Sequence, residues 1–499
     1  MKMKRLIQWL LAAMVMTSCN DWLDIKSDNV LLEEEIFGDY TGVQMAVNGV
    51  YREISVTDLY GKNLSWGFAS ALALNYINSG LSSDLAEASN RNWKNSSVLD
   101  VTEKTWAKAY NVIASCNNII QQVEKKDSSF FYNKDVEKQL ILAEMRGVRA
   151  LLHFDMLRLF CPVPSSKNQG DPAIPYVTKY PDHQPMRMTM EQVLENIVSD
   201  MEFAQEKLGP LDTLKFEKWT KGRQHRFMSG AHETPLGGDD FLNYRGTRMN
   251  YWGATALLAR IYMWMGNEEM AYKNAAIIKR FVDVKGWFKW TGASQHGDVS
   301  AYPEYSDPKR WEELLLGFYN KDNLDNFEKA ILSPESFKMN EMEKLFGSET
   351  DDYRYKFYNR YDNDRRYLVW ERPVASSSNT SGTVTTQITY QCPLIPIVRF
   401  PEMYHIMIEC LINKKKIVEA KELFSTLRNQ RGVKEYVLPD DPDDLKEKLV
   451  NDMIREGLTE GQTFFMYKRL NHGIFNGDKD IPMTADKFIA EYPNNETSY

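Results

Sequence analysis

The segment NYWGATALLARIYMWMGN, at residues 250–267, decides the fold class of this 499-residue chain. Its apolar residues recur every three or four positions, which is the spacing of a helix buried along one side. A Gly-Asn turn ends this helix at 266–267, and a second apolar series with helical spacing runs from Ala271 to Val282. The segment therefore predicts a helix–turn–helix unit.

The same kind of unit is expected elsewhere in the chain. Residues 401–412 and 420–427 have helical apolar spacing on either side of a polar turn, and residues 105–123 and 135–160 predict an antiparallel pair of longer helices. Residues 189–208 predict another helix, begun by a Thr–Gln capping box. An alanine early on the second helix of a unit is typical of tetratricopeptide-like repeats. We therefore expect an all-α fold, a tetratricopeptide-like scaffold of helical pairs.

Residues 283–398 have a different composition. This stretch is rich in Trp and Tyr, has few apolar series with helical spacing, and includes a Ser/Thr-rich segment at 375–387. It predicts an irregular, loop-rich insertion that contains short strands and lies over the helical scaffold. Aromatic residues on loops are typical of a ligand-binding surface, so we interpret the insertion as the candidate ligand face.

Four tryptophans are the candidate ligand-binding residues. They lie in polar or Gly-rich stretches instead of on helical stripes, at Trp66, Trp93, Trp287 and Trp290. A flat indole can pack on the apolar face of a sugar ring, while Asn, Asp or Arg side chains bind the hydroxyl groups at its edge. The alternative for each tryptophan is packing of its loop on the scaffold.

The N-terminus, MKMKRLIQWLLAAMVMTSC at residues 1–19, has the features of an export signal. Basic residues precede a short apolar run, and small residues stand directly before Cys19. The apolar run is too short for a comfortable transmembrane helix. We expect lipidation of Cys19, which would hold the protein to a membrane through its lipid. The alternative is an ordinary signal peptide with an incidental cysteine.

These patterns divide the chain into five parts. The segment after the signal is polar and acidic, and it predicts a tether. The parts are a lipoprotein signal peptide at 1–18, a lipidated N-terminus and tether at 19–41, an N-terminal helical scaffold at 42–282, the loop-rich insertion at 283–398, and a C-terminal helical pair and tail at 399–499.

Charge and motifs argue against several classes of function. The net charge is −8, or −11 without residues 1–18, so no nucleic-acid partner is expected. Signatures of nucleophilic hydrolases, phosphate-binding loops and zinc proteases do not occur. Asp478 and Asp480 lie in NGDKD without the remaining ligands of a calcium loop. We therefore expect no catalytic residues, no cofactor and no metal site.

Several segments together resemble the SusD/RagB family of outer-membrane nutrient-binding lipoproteins. In chain order they are similar to the family's lipidated Cys and tether, its Glu–Arg–Ala helix, its Ala-rich helix, its later helical pair with an Asn-x-x-Arg turn, and its C-terminal Glu-Gly-aromatic signature. The segments are CNDWLDIKSDN (19–29), AEMRGVRALLHFDMLRLFCPVP (143–164), YWGATALLARIYMWMGN (251–267), VRFPEMYHIMIEC (398–410), LRNQRGV (427–433) and REGLTEGQTFFMYKRLN (455–471).

The resemblance implies a lipid-anchored protein of the outer membrane, exposed at the cell surface and seated on a TonB-dependent, SusC-like transporter. It would capture oligomeric nutrients and deliver them to that transporter without catalysis. Oligosaccharides are the favoured ligand class. One alternative is that the ligand is a peptide. Another is that the protein is a lipid-anchored helical-repeat scaffold that binds only protein partners. An exported hydrolase is a third, because a glycosidase needs only two carboxylates at a set separation.

Overall fold

A computed structural model describes most of the chain after its N-terminus. The predicted signal peptide at 1–18 and Cys19 lie outside the described residues, so export and lipidation stay predictions. Within the described residues, no helix is both long and apolar enough to cross a bilayer. The described residues are 33–164, 170–228, 240–291, 307, 309–333, 335–341, 343–358, 369–372, 385, 387–434 and 436–493.

Helices form most of the described chain, which confirms the all-α fold class. Successive helices pack as stacked pairs: α2 (Ser96–Glu124) on α3 (Lys134–Phe160), α3 on α4 (Met190–Pro210), α5 (Tyr251–Trp264) on α6 (Glu268–Asp283), and α8 (Pro401–Asn413) on α9 (Ile417–Gln430). These longer helices are α1 (Tyr40–Ile54), α2 (Ser96–Glu124), α3 (Lys134–Phe160), α4 (Met190–Pro210), α5 (Tyr251–Trp264), α6 (Glu268–Asp283), α7 (Asn323–Ala330), α8 (Pro401–Asn413), α9 (Ile417–Gln430), α10 (Pro442–Gly457) and α11 (Thr463–Leu470). Shorter helices cover Glu33–Ile36, Phe68–Leu72, Ser83–Ser89, Glu217–Thr220, Arg223–Phe227, Glu343–Phe346 and Tyr353–Tyr358.

The start of α1 is fixed by a side-chain cap. The carboxylate of Asp39 accepts hydrogen bonds from the backbone N–H groups of Thr41 and Gly42, at 2.7 and 3.0 Å. These bonds satisfy donors that have no partner inside the helix. A Cβ at Gly42 would lie 1.8 Å from the carbonyl oxygen of Ile36, so the approach requires glycine. The cap sets the direction of α1, which forms one wall of the candidate site.

For two other helices, the predicted start can be compared with the observed one. The capping box before α4 is confirmed, because Thr189 and Gln192 exchange hydrogen bonds at 3.1 and 3.3 Å. α2 begins at Ser96, well before the predicted start at residue 105. The side chain of Asn95 accepts a backbone N–H bond there at 2.9 Å and caps the helix.

Three short antiparallel strand pairs accompany the helices in the described residues. Two strands of the predicted insertion are buried in the same core as the helices. A Cβ at Gly253 on α5 would lie 3.0 Å from the Cβ of Leu316, so glycine allows helix and strand to approach closely. The pairs are β1 (Pro172–Pro175) with β2 (Arg187–Thr189), β3 (Leu314–Tyr319) with β4 (Leu394–Arg399), and β5 (Ile474–Phe475) with β6 (Asp480–Ile481).

A buried ion network joins the insertion to the C-terminal helices. The carboxylate of Glu456, on α10, accepts hydrogen bonds from three guanidinium groups. They belong to Arg310, at 2.8 Å, Arg354, at 3.1 Å, and Arg431, at 3.0 Å. Arg431 also donates twice, at 2.7 Å, to Glu313, directly before β3. Burial raises the pKa of Glu456, but the arginines outweigh it and hold the pKa well below its ordinary range.

Lys309 is a buried amine beside this network. Its Nζ lies 3.8 Å from the centre of the Trp370 ring and has no hydrogen-bond acceptor among the described residues. Burial lowers the pKa of Lys309 from 10.5 to about 7. Between these values the unfolded chain binds the proton and the folded chain does not, so stability rises with pH across this window. The buried amine therefore lowers the free energy of unfolding most at pH 7 and below.

Lys309→Met should therefore stabilise the protein. We expect the free energy of unfolding at pH 7 to rise by about 1–4 kcal/mol, because an unpaired buried charge is replaced by an apolar chain of similar length. This gain should shrink by about 1.4 kcal/mol per pH unit above pH 7. Urea unfolding at pH 7 and at pH 8 measures both effects, with the exposed Lys285→Met as control. A gain that does not depend on pH would contradict the explanation.

Candidate functional site

An open cavity of about 1240 Å³ lies between α1 and the end of β3. Its walls come from α1 and the residues after it, from segment 240–248, from the turn between β3 and α7, and from residues 389–390. We call it the α1–β3 cavity. Pockets for single small molecules measure about 300–1,000 Å³, so this cavity has room for an oligomeric ligand.

One wall of the cavity is a face of α1. Gln44, Asn48, Tyr51 and Arg52 line it, and their spacing places them on one side of the helix. Asn48 and Arg52 are exposed. Gln44 and Tyr51 donate hydrogen bonds to buried glutamates of α3, at 2.7 and 2.9 Å. These hydrogen bonds to α3 thus fix the position of α1, while Asn48 and Arg52 face solvent.

A second buried ion network, around Glu144 of α3, holds the lining residue Arg248 in place. Arg248 donates to Glu144 from Nε and Nη2, at 3.0 and 2.8 Å, and Arg245 donates to the other carboxylate oxygen. Arg245 also donates to Asp212 at 2.8 Å. Burial, with Glu144 beside it, raises the pKa of Tyr51 well above its ordinary value, so Tyr51 remains a neutral donor.

Arg248 also anchors segment 240–248. Its guanidinium lies 4.1 Å from the centre of the Phe241 ring and 5.2 Å from that of Tyr51, and Nη1 donates to the Phe241 carbonyl at 2.7 Å. Tyr244 is left half-buried at the cavity wall. Its φ is +56°, a conformation that non-glycine residues seldom adopt and that is often found at ligand sites.

Tyr319 presents an aromatic ring to the cavity. It ends β3, whose preceding residues are all buried, and it is 48% exposed. The half-buried rings of Tyr244 and Tyr390 line the same cavity. Each tyrosine combines an apolar ring face with a polar hydroxyl group, so the three rings can contact the apolar faces of sugar rings.

The turn after β3 is held by a hydrogen bond to the residue after α1 and by another within the turn. Asn320 donates from Nδ2 to the carbonyl of Ser55 at 2.9 Å, and its Oδ1 accepts the N–H of Asp322 at 2.9 Å. Lys321 and Asp322 are exposed at the cavity. Together with Arg52 they place both signs of charge around it, which suits a polar ligand of low net charge.

A second cavity, of about 110 Å³, lies among α5, α8, α10 and α11. Three of its arginines, Arg260, Arg399 and Arg469, are paired with glutamates. Arg260 donates to Glu402 and Arg469 donates to Glu409, each through two bonds of 2.6–2.7 Å. This cavity is too small for an oligosaccharide, so we place the candidate site in the α1–β3 cavity.

The structure places the four predicted tryptophans outside the lining of the α1–β3 cavity. Trp66, Trp93 and Trp287 are buried. Trp66 packs edge-on against Phe327 and Phe337, with ring centres 5.0 and 5.2 Å apart. An indole covered by protein offers no face to a sugar. Burial therefore argues against a ligand role for these three residues.

Trp290 is half-buried. Its ring centre lies 4.6 Å from that of Phe400 and 5.0 Å from that of Tyr404, and the guanidinium of Arg431 lies 5.2 Å away. These contacts hold Trp290 against the helices and the ion network. Its ligand role stays a prediction.

Sequence reasoning missed the tyrosines of the cavity because it selected tryptophans in polar stretches. One signal could have found Tyr319, which ends the apolar run LLLGFY at 314–319 and is followed at once by the polar NKDN. A ring at the end of a buried strand points to a surface position. The sequence carries no signal that joins Tyr319 to Asn48 and Arg52, because tertiary packing brings them together.

One family model and one curated relative match part of the chain. The SusD-like family model, described as "Starch-binding associating with outer membrane", matches residues 21–219. A SusD-like protein of Formosa agariphila is 23% identical over 247 residues, which is 47% of this chain and 43% of the relative. The match thus spans less than half the length of this relative.

Solved structures share the fold over most of the chain. A SusD superfamily protein from Bacteroides thetaiotaomicron is 19% identical, with a TM-score of 0.65 and coverage of 92% of this chain and 97% of that chain. A SusD-like carbohydrate binding protein from Bacteroides vulgatus is 13% identical, with a TM-score of 0.64 and coverage of 92% and 96%. The family model and the relative therefore support a SusD-like character for the matched part of the chain, and the solved structures show that the fold is shared over most of it.

Proposed function

We propose that this protein captures oligosaccharides in the α1–β3 cavity, without catalysis, and delivers them to a TonB-dependent, SusC-like transporter of the outer membrane. The observation that carries the proposal is the cavity of about 1240 Å³, whose walls include the rings of Tyr244, Tyr319 and Tyr390 and exposed polar side chains. The family description, which names starch binding and the outer membrane, supports the ligand class and the location.

The chemistry of the cavity fits a glycan. The rings of Tyr244, Tyr319 and Tyr390 offer apolar faces, and the exposed amide of Asn48 can both donate and accept hydrogen bonds. Arg52 adds donors for hydroxyl oxygens. A carrier needs only moderate affinity, since a Kd of 1 mM corresponds to about −4 kcal/mol. A few ring contacts and hydrogen bonds are sufficient for that.

The anchor and the partner are proposed from the sequence resemblance. Lipid on Cys19 would hold the protein to the outer membrane, and the tether at 19–41 would place the body at the cell surface. Glu33, inside the predicted tether, accepts a hydrogen bond from Gln122 on α2 at 2.7 Å. Recovery of a barrel protein together with this protein from detergent-solubilised outer membranes tests the partnership.

Tyr319→Ala should weaken oligosaccharide binding about tenfold, which corresponds to about 1.4 kcal/mol. The reason is the loss of an exposed ring face and its hydroxyl group from the cavity wall. Because Tyr319 is partly exposed at the end of a strand, we expect the variant to keep its fold, which circular dichroism checks. Calorimetric titration with the oligosaccharide selected by a polysaccharide screen measures the affinity.

Tyr132→Ala is the matched control, because Tyr132 is 56% exposed and lies outside the cavity lining. Affinity that falls with Tyr319→Ala and not with Tyr132→Ala supports the site. Equal affinity for both variants and the native protein would reject it. Binding of peptides with the same dependence on Tyr319 would favour peptide capture, and binding of neither class would favour the scaffold. Turnover of the glycan would indicate a hydrolase.

A further inference from the structure

A histidine and two carboxylates meet beside the C-terminal strand pair, apart from the α1–β3 cavity. Glu447 lies on α10, His472 follows the end of α11, and Asp480 begins β6. Each side chain offers one possible ligand atom, and these atoms all lie within 4.8 Å of one another. Because the residues come from three separate elements, the fold and not the local sequence assembles the cluster.

The contacts of His472 leave one ring nitrogen facing negative charge. Its Nδ1 lies 2.6 Å from the carbonyl oxygen of Gly473, so Nδ1 carries a proton, because a carbonyl only accepts. Its Nε2 lies 3.2 Å from both carboxylate oxygens of Glu447. An ionised carboxylate also only accepts. A proton or a metal ion must therefore lie between Nε2 and Glu447.

Asp480 favours the metal ion. A proton on Nε2 would give one positive imidazolium beside two carboxylates, whereas a divalent ion would balance both carboxylates and accept the Nε2 lone pair. The second ring nitrogen agrees with this choice. A metal-bound histidine usually donates its other N–H to a carboxylate, a water or a backbone carbonyl, as His472 does to Gly473.

We propose that Glu447, His472 and Asp480 bind one Zn²⁺ ion. Zn²⁺ takes imidazole nitrogen and carboxylate oxygen at about 2.0–2.2 Å, which puts neighbouring ligand atoms of a tetrahedron about 3.4 Å apart. The 3.2 Å between Nε2 and Glu447 fits this geometry, and the exposed side chain of Asp480 can rotate to complete it. The imidazole favours Zn²⁺ over Ca²⁺ and Mg²⁺, which prefer oxygen ligands.

The ion would link the β5–β6 pair to α10. This proposal differs from the sequence-based expectation of no metal site. Calorimetric titration of the purified, chelator-treated protein with Zn²⁺ tests it. We expect one Zn²⁺ per chain, with an affinity at least about tenfold lower in His472→Gln and in Asp480→Asn. His183→Gln, at an exposed histidine outside the cluster, should bind Zn²⁺ as the native protein does.

Thermal unfolding with and without Zn²⁺ supplies a second readout. Zn²⁺ should raise the unfolding midpoint of the native protein and of His183→Gln, but not that of Asp480→Asn. Because Asp480 is exposed, we expect this variant to fold, so a missing shift reports on the metal site. Absence of saturable Zn²⁺ binding to the native protein, or equal affinity in the native protein and His472→Gln, would overturn the proposal.

Discussion

Glu456→Ala should unfold at a much lower urea concentration than the native protein. The substitution leaves the buried guanidinium groups of Arg310, Arg354 and Arg431 without the carboxylate that they share. Removing one partner of a buried ion pair costs about 3–5 kcal/mol. We expect a loss in this range, with Arg354 and Arg431 still bonded to Asp352, Asp452 and Glu313. Urea unfolding followed by circular dichroism measures the loss.

The pH dependence of this loss provides a further check. The pKa of Glu456 is held below its ordinary value of 4.5 in the folded protein. Its contribution is therefore fully present above pH 4.5 and is lost as the pH falls through the folded-state pKa. Glu422→Ala, at an exposed position on α9, should change stability by less than about 0.5 kcal/mol. A similar small change in Glu456→Ala would contradict the role of the network.

Glu144→Ala should damage both the fold and the α1–β3 cavity. It leaves Arg248 buried without a carboxylate partner and removes the acceptor of the Tyr51 hydroxyl. We expect a loss of about 3–5 kcal/mol in the free energy of unfolding. Because Arg248 anchors Phe241 and its segment, oligosaccharide affinity should fall as well. Urea unfolding and calorimetric titration of the same preparation measure the two effects.

Glu137→Ala is the matched comparison on the same helix. Glu137 is as buried as Glu144, but it accepts hydrogen bonds from the neutral amide of Gln44 and the backbone N–H of Asn133. Glu137→Ala should lower the free energy of unfolding by about 1–3 kcal/mol, the penalty for leaving a buried neutral group without its hydrogen bond. Equal losses in Glu137→Ala and Glu144→Ala would show that Arg245 and Arg248 do not depend on Glu144.

Helices could be predicted where burial and periodicity coincide along a continuous segment. The pattern at 250–267 gives α5, Tyr251–Trp264, almost to the residue, because this helix is buried along nearly its whole length. The Thr189 cap is equally local, since its partner is three residues away. The start of α2 was missed because Asn95 lies in a polar stretch where many residues could cap a helix.

The ion networks could not be predicted from sequence. Arg431 and Glu456 both lie in segments that resemble the SusD/RagB family, yet nothing in the sequence pairs them with each other or with Glu313. Their partners are distant in the chain, and tertiary packing selects them. In the structure these two residues hold β3 to the C-terminal helices, which gives those segments a structural role.

The candidate site could not be predicted from the sequence either, for a related reason. Composition located aromatic residues but gave no measure of burial, and indoles in polar stretches such as Trp66 proved to be core residues. Tyr319 becomes a candidate only when β3 brings it beside α1. The cavity is a product of helix and strand packing, with residues from four parts of the chain.

A crystal structure of the protein soaked with the oligosaccharide from the binding screen tests the central claim most directly. The proposal predicts sugar density in the α1–β3 cavity, with a ring of the glycan packed on Tyr319 and hydroxyl groups within hydrogen-bond distance of Asn48 or Arg52. Density at another place, such as beside Trp290, with the cavity free of sugar would contradict it.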